Sequence, residues 1–582
     1  MAGRRCLWLL LSLLSPWSLV DPRLLTYKIK RARKVAQLLR LLDGPINHIH
    51  LSAAYCQLVT FQKCGQLVPK SSFSRLNSRL ERLLSKGEVD AQGVANILWA
   101  AANLPSLPLS IIPALAASIG AGNAQDVCNT LWATARLKDR APEVLQLLPD
   151  LLVQVPERAR GMTPQGLSNC LWALAQLVEV APEVSRVVPA IAARVSCGKA
   201  REMTPQALAN SLWAAAWLHE AAVEVLDLLP AVVPQILARA GDMKAQELAN
   251  SLWAAAKLQR RAPEVLEIVA AIVEEVPRQV ERMNPQALSN ALWASAHLQH
   301  ASPEVLRCLP AIVEAIPGRA HEMNLQELCN SLWASAKLEH PEVLHLIPCL
   351  MEQVPRAGEM TPQAASNCLW AAARLQDRAR EVLQVVPGAV AAVPRLVGAM
   401  SPQGLSNSLW ATGHLHPVAP CVLDMLPALV AEIPRRARHM DLQELCNCLW
   451  ACGQLGTVAP MALRLLPALS EGLPVRHLRP KSVAGGQGPP CGSEVKLLLH
   501  RRADVEAKTR KTQSTALMLA TRKQHLECMQ AWHLVAHGHL SAGAAPSGRV
   551  HRRRLAGGRP AGTPRCRNGL WWPAMTKYIT LG

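Results

Sequence analysis

Ten times along the chain a glutamine stands four residues before an asparagine, as Gln165 stands before Asn169. Seven residues after each asparagine the side chain changes from copy to copy: Asn103, Arg136, Gln176, Trp217, Lys257, His297, Lys337, Arg374, His414 and Gln454. A carboxamide donates and accepts hydrogen bonds at once, and Lys or Arg beside it offers charge-assisted donors to an anion. That chemistry holds a ligand and transforms nothing. No P-loop, HExxH, G-x-S-x-G or CxxC spacing is present, and the histidines have no fixed partner to work with. Cys446, Cys448 and Cys452 come nearest to a ligand cluster, but offsets of two and six put them on different sides of one helix. The expectation is a binding protein, with no catalytic residue, cofactor or metal.

The elements that must position these residues announce themselves by repetition. Trp99, Trp132, Trp172, Trp213, Trp253, Trp293, Trp333, Trp370, Trp410 and Trp450 follow one another at steps of 33 to 41 residues, most of them 40. The wording around each is nearly constant, as in TPQGLSNCLWALAQL and NPQALSNALWASAHL. Thr163, Thr204, Asn284, Asn324, Thr361, Ser401 and Asp441 are N-cap residues by type, and Pro164, Pro205, Pro285, Pro362 and Pro402 follow at the first helical position, where a missing N–H costs nothing. Lys244 is the exception among the caps. A second helix starts at segments such as PEVLQLLPDLLVQV, and Pro149, Pro189, Pro230 and Pro310 should kink or split it. Ala270 in the corresponding place predicts a straighter fifth copy. Such two-helix units cannot bury their apolar faces alone, so the predicted fold is an all-α solenoid of about ten repeats of roughly 40 residues, on the order of 100 Å long.

At about 100° per residue, Leu167, Leu171 and Leu174 of the first helix point toward the second, and Gln165, Asn169, Ala173 and Gln176 point away. Trp172 falls at the flank, where repeats meet, so the ten tryptophans are expected to be structural core. The Gln/Asn stripe has two readings: a ladder fixing neighbouring repeats through backbone hydrogen bonds, or a polar floor for a ligand. A residue identical in every copy cannot encode ligand sequence. Discrimination is therefore expected at the varying position seven after Asn, and at the one three before it (Gly93, Asp126, Gly166, Ala207, Glu247, Ala287, Glu327, Ala364, Gly404, Glu444), with plain solvated surface as the alternative.

The net charge of +20 is unevenly placed. Residues 1–89 carry a balance of +11, residues 90–475 one of −6 (28 basic, 34 acidic), and residues 476–582 one of +15. Acids gather at the start of the second helix (Glu143, Glu183, Glu264, Glu304, Glu342), where the helix dipole favours them. Bases gather in loops such as PERARGM and PRRARHM, a possible phosphate-following edge. Seventeen cysteines, many in places other copies fill with Ser or Ala, read as small buried residues of a reducing compartment.

The PQGLSN-x-LWALAQL wording and its period resemble the octotricopeptide repeat of organellar RNA-binding proteins. They also resemble the helical repeats of Fas-activated serine/threonine kinase-like mitochondrial RNA-processing proteins and of an RNA-editing substrate-binding complex subunit. The resemblance covers residues about 90–475. It implies an α-solenoid that binds single-stranded organellar RNA in processing, stability or expression, together with other RNA-processing proteins; the alternative is a protein interaction scaffold. No segment like the RAP domain of many such relatives is found.

Around the array, residues 1–45 read as a targeting leader. Arg4 and Arg5 precede an apolar stretch to Val20, too short to span a bilayer comfortably, and then come Lys28, Lys30, Arg31, Arg33, Lys34 and Arg40. A mitochondrial or plastid address fits that order, a secretory signal alone fits the first part, and no stable membrane insertion is expected. Residues 46–89 read as a degenerate first repeat opening the solenoid at 46–475, followed by a linker (476–493). Residues 494–535 look ankyrin-like, with Thr515, Ala516 and Leu517 at its usual Thr-Pro-Leu, and 536–582 as a disordered basic tail that includes Arg552, Arg553, Arg554, Arg559, Arg565 and Arg567. Fused to a fluorescent protein, residues 1–45 should carry it into mitochondria or plastids; diffuse cytosolic or secreted fluorescence would remove the organellar expectation.

Overall fold

The computed structural model describes residues 22–472 apart from 45, 106, 117–120, 339 and 355–358; the linker, the ankyrin-like segment, the basic tail and the apolar half of the leader lie outside the described residues. No strand occurs among the described residues. Ten first helices carry the Trp motif: Ala91–Asn103, Ala124–Leu137, Pro164–Leu177, Pro205–Leu218, Ala245–Leu258, Pro285–Leu298, Leu325–Leu338, Pro362–Leu375, Pro402–Leu415 and Leu442–Leu455. Each is backed by a second helical segment, and successive first helices pack side by side, so the fold is an α-solenoid. The described residues form two compact units, one reaching to Met323 and including Leu338–Leu346, the other comprising Asn324–Lys337 and the described residues from Ile347.

The first helices begin as their caps require. Thr163, Thr204, Asn284, Thr361, Ser401 and Asp441 accept from the backbone N–H three residues on, at 2.8–3.2 Å. Where Lys244 offers no acceptor, the Glu247 carboxylate turns back and accepts from the Lys244 N–H at 2.9 Å. Asp126, Glu327 and Glu444 do the same for Asn123, Asn324 and Asp441. This corrects one expectation. The position three before Asn is the third helical residue, engaged in the cap through its N–H or its carboxylate and buried in most copies, rather than an outward-facing side chain.

The second helix opens as a 3₁₀ turn, Pro142–Leu147, and becomes α-helical at Leu148, with Pro149 in its first turn. Proline thus marks a change of helix type, because its missing N–H falls where the i→i−4 ladder restarts. In the copy that has Ala270 the 3₁₀ turn shortens to Pro263–Leu266, and a 13-residue α-helix follows, Glu267–Gln279.

The helix Pro205–Leu218 shows how stacking works. Leu208, Leu212 and Leu218 are fully buried, and so are Ala207, Ala209, Ser211, Ala214 and Ala215. Small side chains on both flanks let the neighbouring first helices approach, while the leucines fill the space toward the second helix. In the same flanking positions, Cys128 and Cys170 meet at Sγ–Sγ 3.3 Å, and Cys329 and Cys368 at 3.0 Å, as free thiols. Serine bridges some joints, Ser168 donating to the Ala207 carbonyl and Ser406 to that of Glu444, each at 2.9 Å.

The start of the packed array also differs from the expected residue 46. Pro22–Lys30 and Val35–Leu41 are helical, with Leu25, Ile29 and Leu38 buried, and Pro22–Lys30 packs on His48–Lys63. His50 Nε2 lies 3.0 Å from the Pro22 carbonyl oxygen, and Gln57 donates to that of Ala32 at 2.9 Å. The packed array therefore starts by residue 22 rather than 46, and removal of residues 22–45 would strip a layer from it. His48–Lys63 and Ser71–Ser85 form the degenerate first repeat, joined by Tyr55 donating to Asn77 at 2.6 Å. Arg380–Ala399 is long and apolar enough to cross a membrane; here it is a second helix of the array, with Val382, Val386 and Val393 buried.

Ala214→Leu should lower stability by about 1–3 kcal/mol, because the added atoms have no space between first helices. Val223→Leu, at an exposed position, should not. Equal urea midpoints for the two variants would refute this account of the stacking.

Candidate functional site

Stacking leaves each first helix one narrow open stripe. In Pro164–Leu177 it comprises Gln165, Asn169, Trp172 and Gln176, at successive spacings of four, three and four residues. Ala173, expected to point outward, is fully buried, because it meets the neighbouring first helix. Trp172, expected in the core, lies on the open face, half-buried. The same holds for Trp99, Trp132, Trp213, Trp253, Trp293, Trp333, Trp370 and Trp450; Trp410 is the buried one, at 8% exposure. The ring stands at the rim of the helix interface, so its inner edge packs and its outer edge stays open.

Adjacent rings touch. In the first unit the centroid separations are 6.2 Å for Trp132 and Trp172, 6.1 Å for Trp213 and Trp253, and 6.0 Å for Trp253 and Trp293. In the second unit Trp333, Trp370, Trp410 and Trp450 succeed one another at 5.5, 6.3 and 6.0 Å. Each such pair contributes about 0.5–1.5 kcal/mol beyond its buried area, so the half-buried rings are structural as well as partly open.

The varying residue seven after Asn lies one turn beyond Trp and sits over its ring. Arg136 is 5.7 Å from the Trp132 centroid, Lys337 4.7 Å from Trp333 and Arg374 5.8 Å from Trp370. Lys257 reaches both Trp253 (5.6 Å) and Trp293 (5.4 Å). His297 packs on Trp293 at 3.9 Å, and Trp217, exposed as expected, stacks on Trp253 at 5.6 Å. Asn103 donates to the Trp99 carbonyl at 2.8 Å. Gln176 and Gln454 lie half-buried on the same stripe. Burial lowers the Lys257 pKa against the pull of Glu220, and burial with Arg378 nearby brings Arg374 down to about 10, so Arg374 remains a cation at neutral pH.

The amides bond to one another rather than to the backbone of neighbouring repeats. Gln165 donates to Asn169 at 3.0 Å, Gln246 to Asn250 at 3.0 Å and Gln326 to Asn330 at 2.9 Å. Asn330 also accepts from Asn367 of the next repeat, at 3.1 Å. In each such pair the Asn oxygen is engaged by the neighbouring Gln, and the Asn NH₂ is the group's donor end.

The basic loop edge is largely engaged in structure. Arg239, Arg319 and Arg436 donate to the carbonyls of Arg201, Glu281 and Gly398, joining neighbouring repeats, while Arg278 and Arg435 pair with Glu275 and Glu432. One residue escaped sequence reasoning. Lys63, at the end of a helix whose motif is degraded, stands 5.3 Å from the Trp99 ring centroid. With Trp99, Asn103, Asn129, Trp132, Asn169, Trp172, Gln206 and Asn210 it lines a cavity of about 260 Å³. The signal was the N-cap Asn47: counting from it as from Thr163 puts Thr60 at the varying position and Lys63 one turn further on.

The fold and this face define a helical-repeat solenoid with a polar and aromatic stripe on the first helices of each unit. No family model and no curated protein matches the chain. Among solved structures it is similar to a homology model of the full-length AP-3 complex in an intermediate open conformation, at 11% identity, covering 89% of this chain and 93% of that chain with a TM-score of 0.26.

His414 is held between Trp410 (4.1 Å) and Trp450 (4.2 Å), and burial, with Arg374 and His416 nearby, pushes its pKa down to about 4 from 6.5. The folded state resists protonation, so this contribution is complete above pH 6.5 and is lost as pH falls toward 4, at most about 3 kcal/mol. Between pH 6.5 and 4 the wild-type thermal midpoint should fall more steeply than that of His414→Gln. Parallel pH profiles would show that His414 titrates normally.

Proposed function

We propose that the open stripes of the first helices bind single-stranded RNA in organellar processing, stability or expression, without a catalytic step. What carries the reading is the placement of the tryptophans: half-exposed rings, cations above them and amides beside them share one face. Groups of that kind bind single strands, where rings meet bases and cations meet phosphates. The net charge of the array is the wrong quantity to consult. No acid occupies any of the ten varying positions, whereas Arg136, Lys257, Lys337 and Arg374 do, and the neighbouring Glu247, Glu327 and Glu444 are committed to caps.

Centroid separations near 6 Å between tilted rings fall short of the roughly 7 Å needed to admit a base between two planes, twice the 3.4 Å rise of a stacked strand. Bases on this face would lie against ring edges and the varying side chains, where sequence preference would arise. Partner proteins of RNA processing and a mitochondrial or plastid site of action belong to the same proposal.

A scaffold for extended polypeptide is the second reading, favoured by the amides that recur unchanged in every repeat, which suit a backbone ligand. Full-length protein with Arg136, Lys257, Lys337 and Arg374 all changed to Ala discriminates. Under the RNA reading, affinity for a single-stranded decamer collapses and the slope of log K against log salt flattens by about 3, at about 0.7 per lost contact. Unchanged affinity and slope would overturn it for this face, and protein partners retained by the variant would then favour the scaffold.

A further inference from the structure

We infer that the cavity between Lys63 and Asn169 in the first unit is a subsite for one nucleotide, its base on the indoles and amides and its phosphate on Lys63. The inference deepens the RNA reading and rests on it for the source of the ligand. The open stripe is not uniform. On Trp293 and Trp410 the varying side chain is a ring, His297 or His414, packed at 3.9 and 4.1 Å, and on Trp213 it is the indole of Trp217 at 5.8 Å. Around Trp99 and Trp172 the varying residues are Asn103 and Gln176, which carry no ring, and Asn103 is drawn back onto its own helix by its bond to the Trp99 carbonyl. The space left there is about 260 Å³. That is somewhat below the ~300 Å³ at which pockets for drug-sized ligands begin, which suits one heterocycle with its sugar rather than two.

The lining matches that occupant. Trp99, Trp132 and Trp172 give apolar π-surface. Asn103, its NH₂ engaged, offers a carbonyl oxygen as acceptor, and Asn169, its oxygen engaged by Gln165, offers NH₂ donors. The Watson–Crick edge of every base carries both complements. Lys63 is exposed and lies 5.3 Å from the Trp99 centroid, so an ammonium stands beside the stacking surface, and Arg136 adds a second cation 5.7 Å from Trp132. The subsite would anchor a bound strand in register at the early repeats, and the same groups would take a free nucleotide 5′-phosphate.

Calorimetric titration of the full chain with 5′-AMP, 5′-GMP, 5′-CMP and 5′-UMP tests this, with ribose 5-phosphate and inorganic phosphate as controls. Saturable one-to-one binding of at least one mononucleotide is expected, weakened about tenfold by Lys63→Gln. Asn103→Leu should weaken it as well, Arg186→Gln, exposed in a second helical segment away from the stripe, should not, and neither control should compete. Absence of saturable mononucleotide binding at millimolar concentration, or binding indifferent to both Lys63→Gln and Asn103→Leu, overturns the subsite. A decamer RNA titrated in parallel separates the two readings. If RNA binds wild type and Lys63→Gln equally, the RNA reading stands and the subsite falls. If a mononucleotide binds with the stated variant pattern and the decamer does not, the subsite stands as a free-nucleotide site and the RNA reading falls.

Discussion

Everything on the open face depends on how closely the first helices pack. Alanine, serine, cysteine or glycine on both flanks brings neighbouring helices into contact, and that contact together with the second helix buries three sides of each. What remains is one stripe per helix, at spacings of four, three and four residues. A bulkier flank would spread the helices, part the tryptophan rings and separate the amides that now bond to one another. Gly413 shows how little room there is, since a Cβ at that position would lie 3.0 Å from the Trp450 ring.

The tryptophans consequently serve two purposes that a simple inside–outside division would separate. Their inner edges seal the joint between repeats and their ring-to-ring contacts run within each unit, while their outer edges form the surface on which the varying residues sit. Cations over those rings reconcile an acidic array with a face suited to an anion. Four bases and no acid occupy the ten varying positions of the stripe, so the total of −6 does not describe that face.

Much of this was legible in the sequence. The period, the caps, the prolines and the Leu face all follow from local rules that need only neighbours in the chain, and they yielded the solenoid and the places where its helices begin. The varying residues from Asn103 to Gln454 were found because position along one helix fixes which face a residue shares with Asn and Gln. Local chemistry also contains the cap of Asp126 or Glu247, yet the helical wheel puts these residues among the candidates for ligand discrimination, because a carboxylate turned back to its own N-terminus looks in sequence like one pointing outward.

Three features required the tertiary structure. Whether Trp172 and Ala173 face inward or outward depends on where the next repeat lies against the helix, and a wheel drawn for an isolated helix lacks that neighbour. The helices of 22–41 look like a transit segment by composition, but the face of His48–Lys63 on which Leu25 and Ile29 are buried makes them part of the array. Lys63 belongs to a helix whose motif has decayed, and it joins Asn103 and Asn169 only through the stacking of successive helices. The sequence by itself determined the repeat and the amide pattern, since both are properties of one helix. Only the packing of helix on helix decided which side of the tryptophan is open, because burial is a relation between repeats.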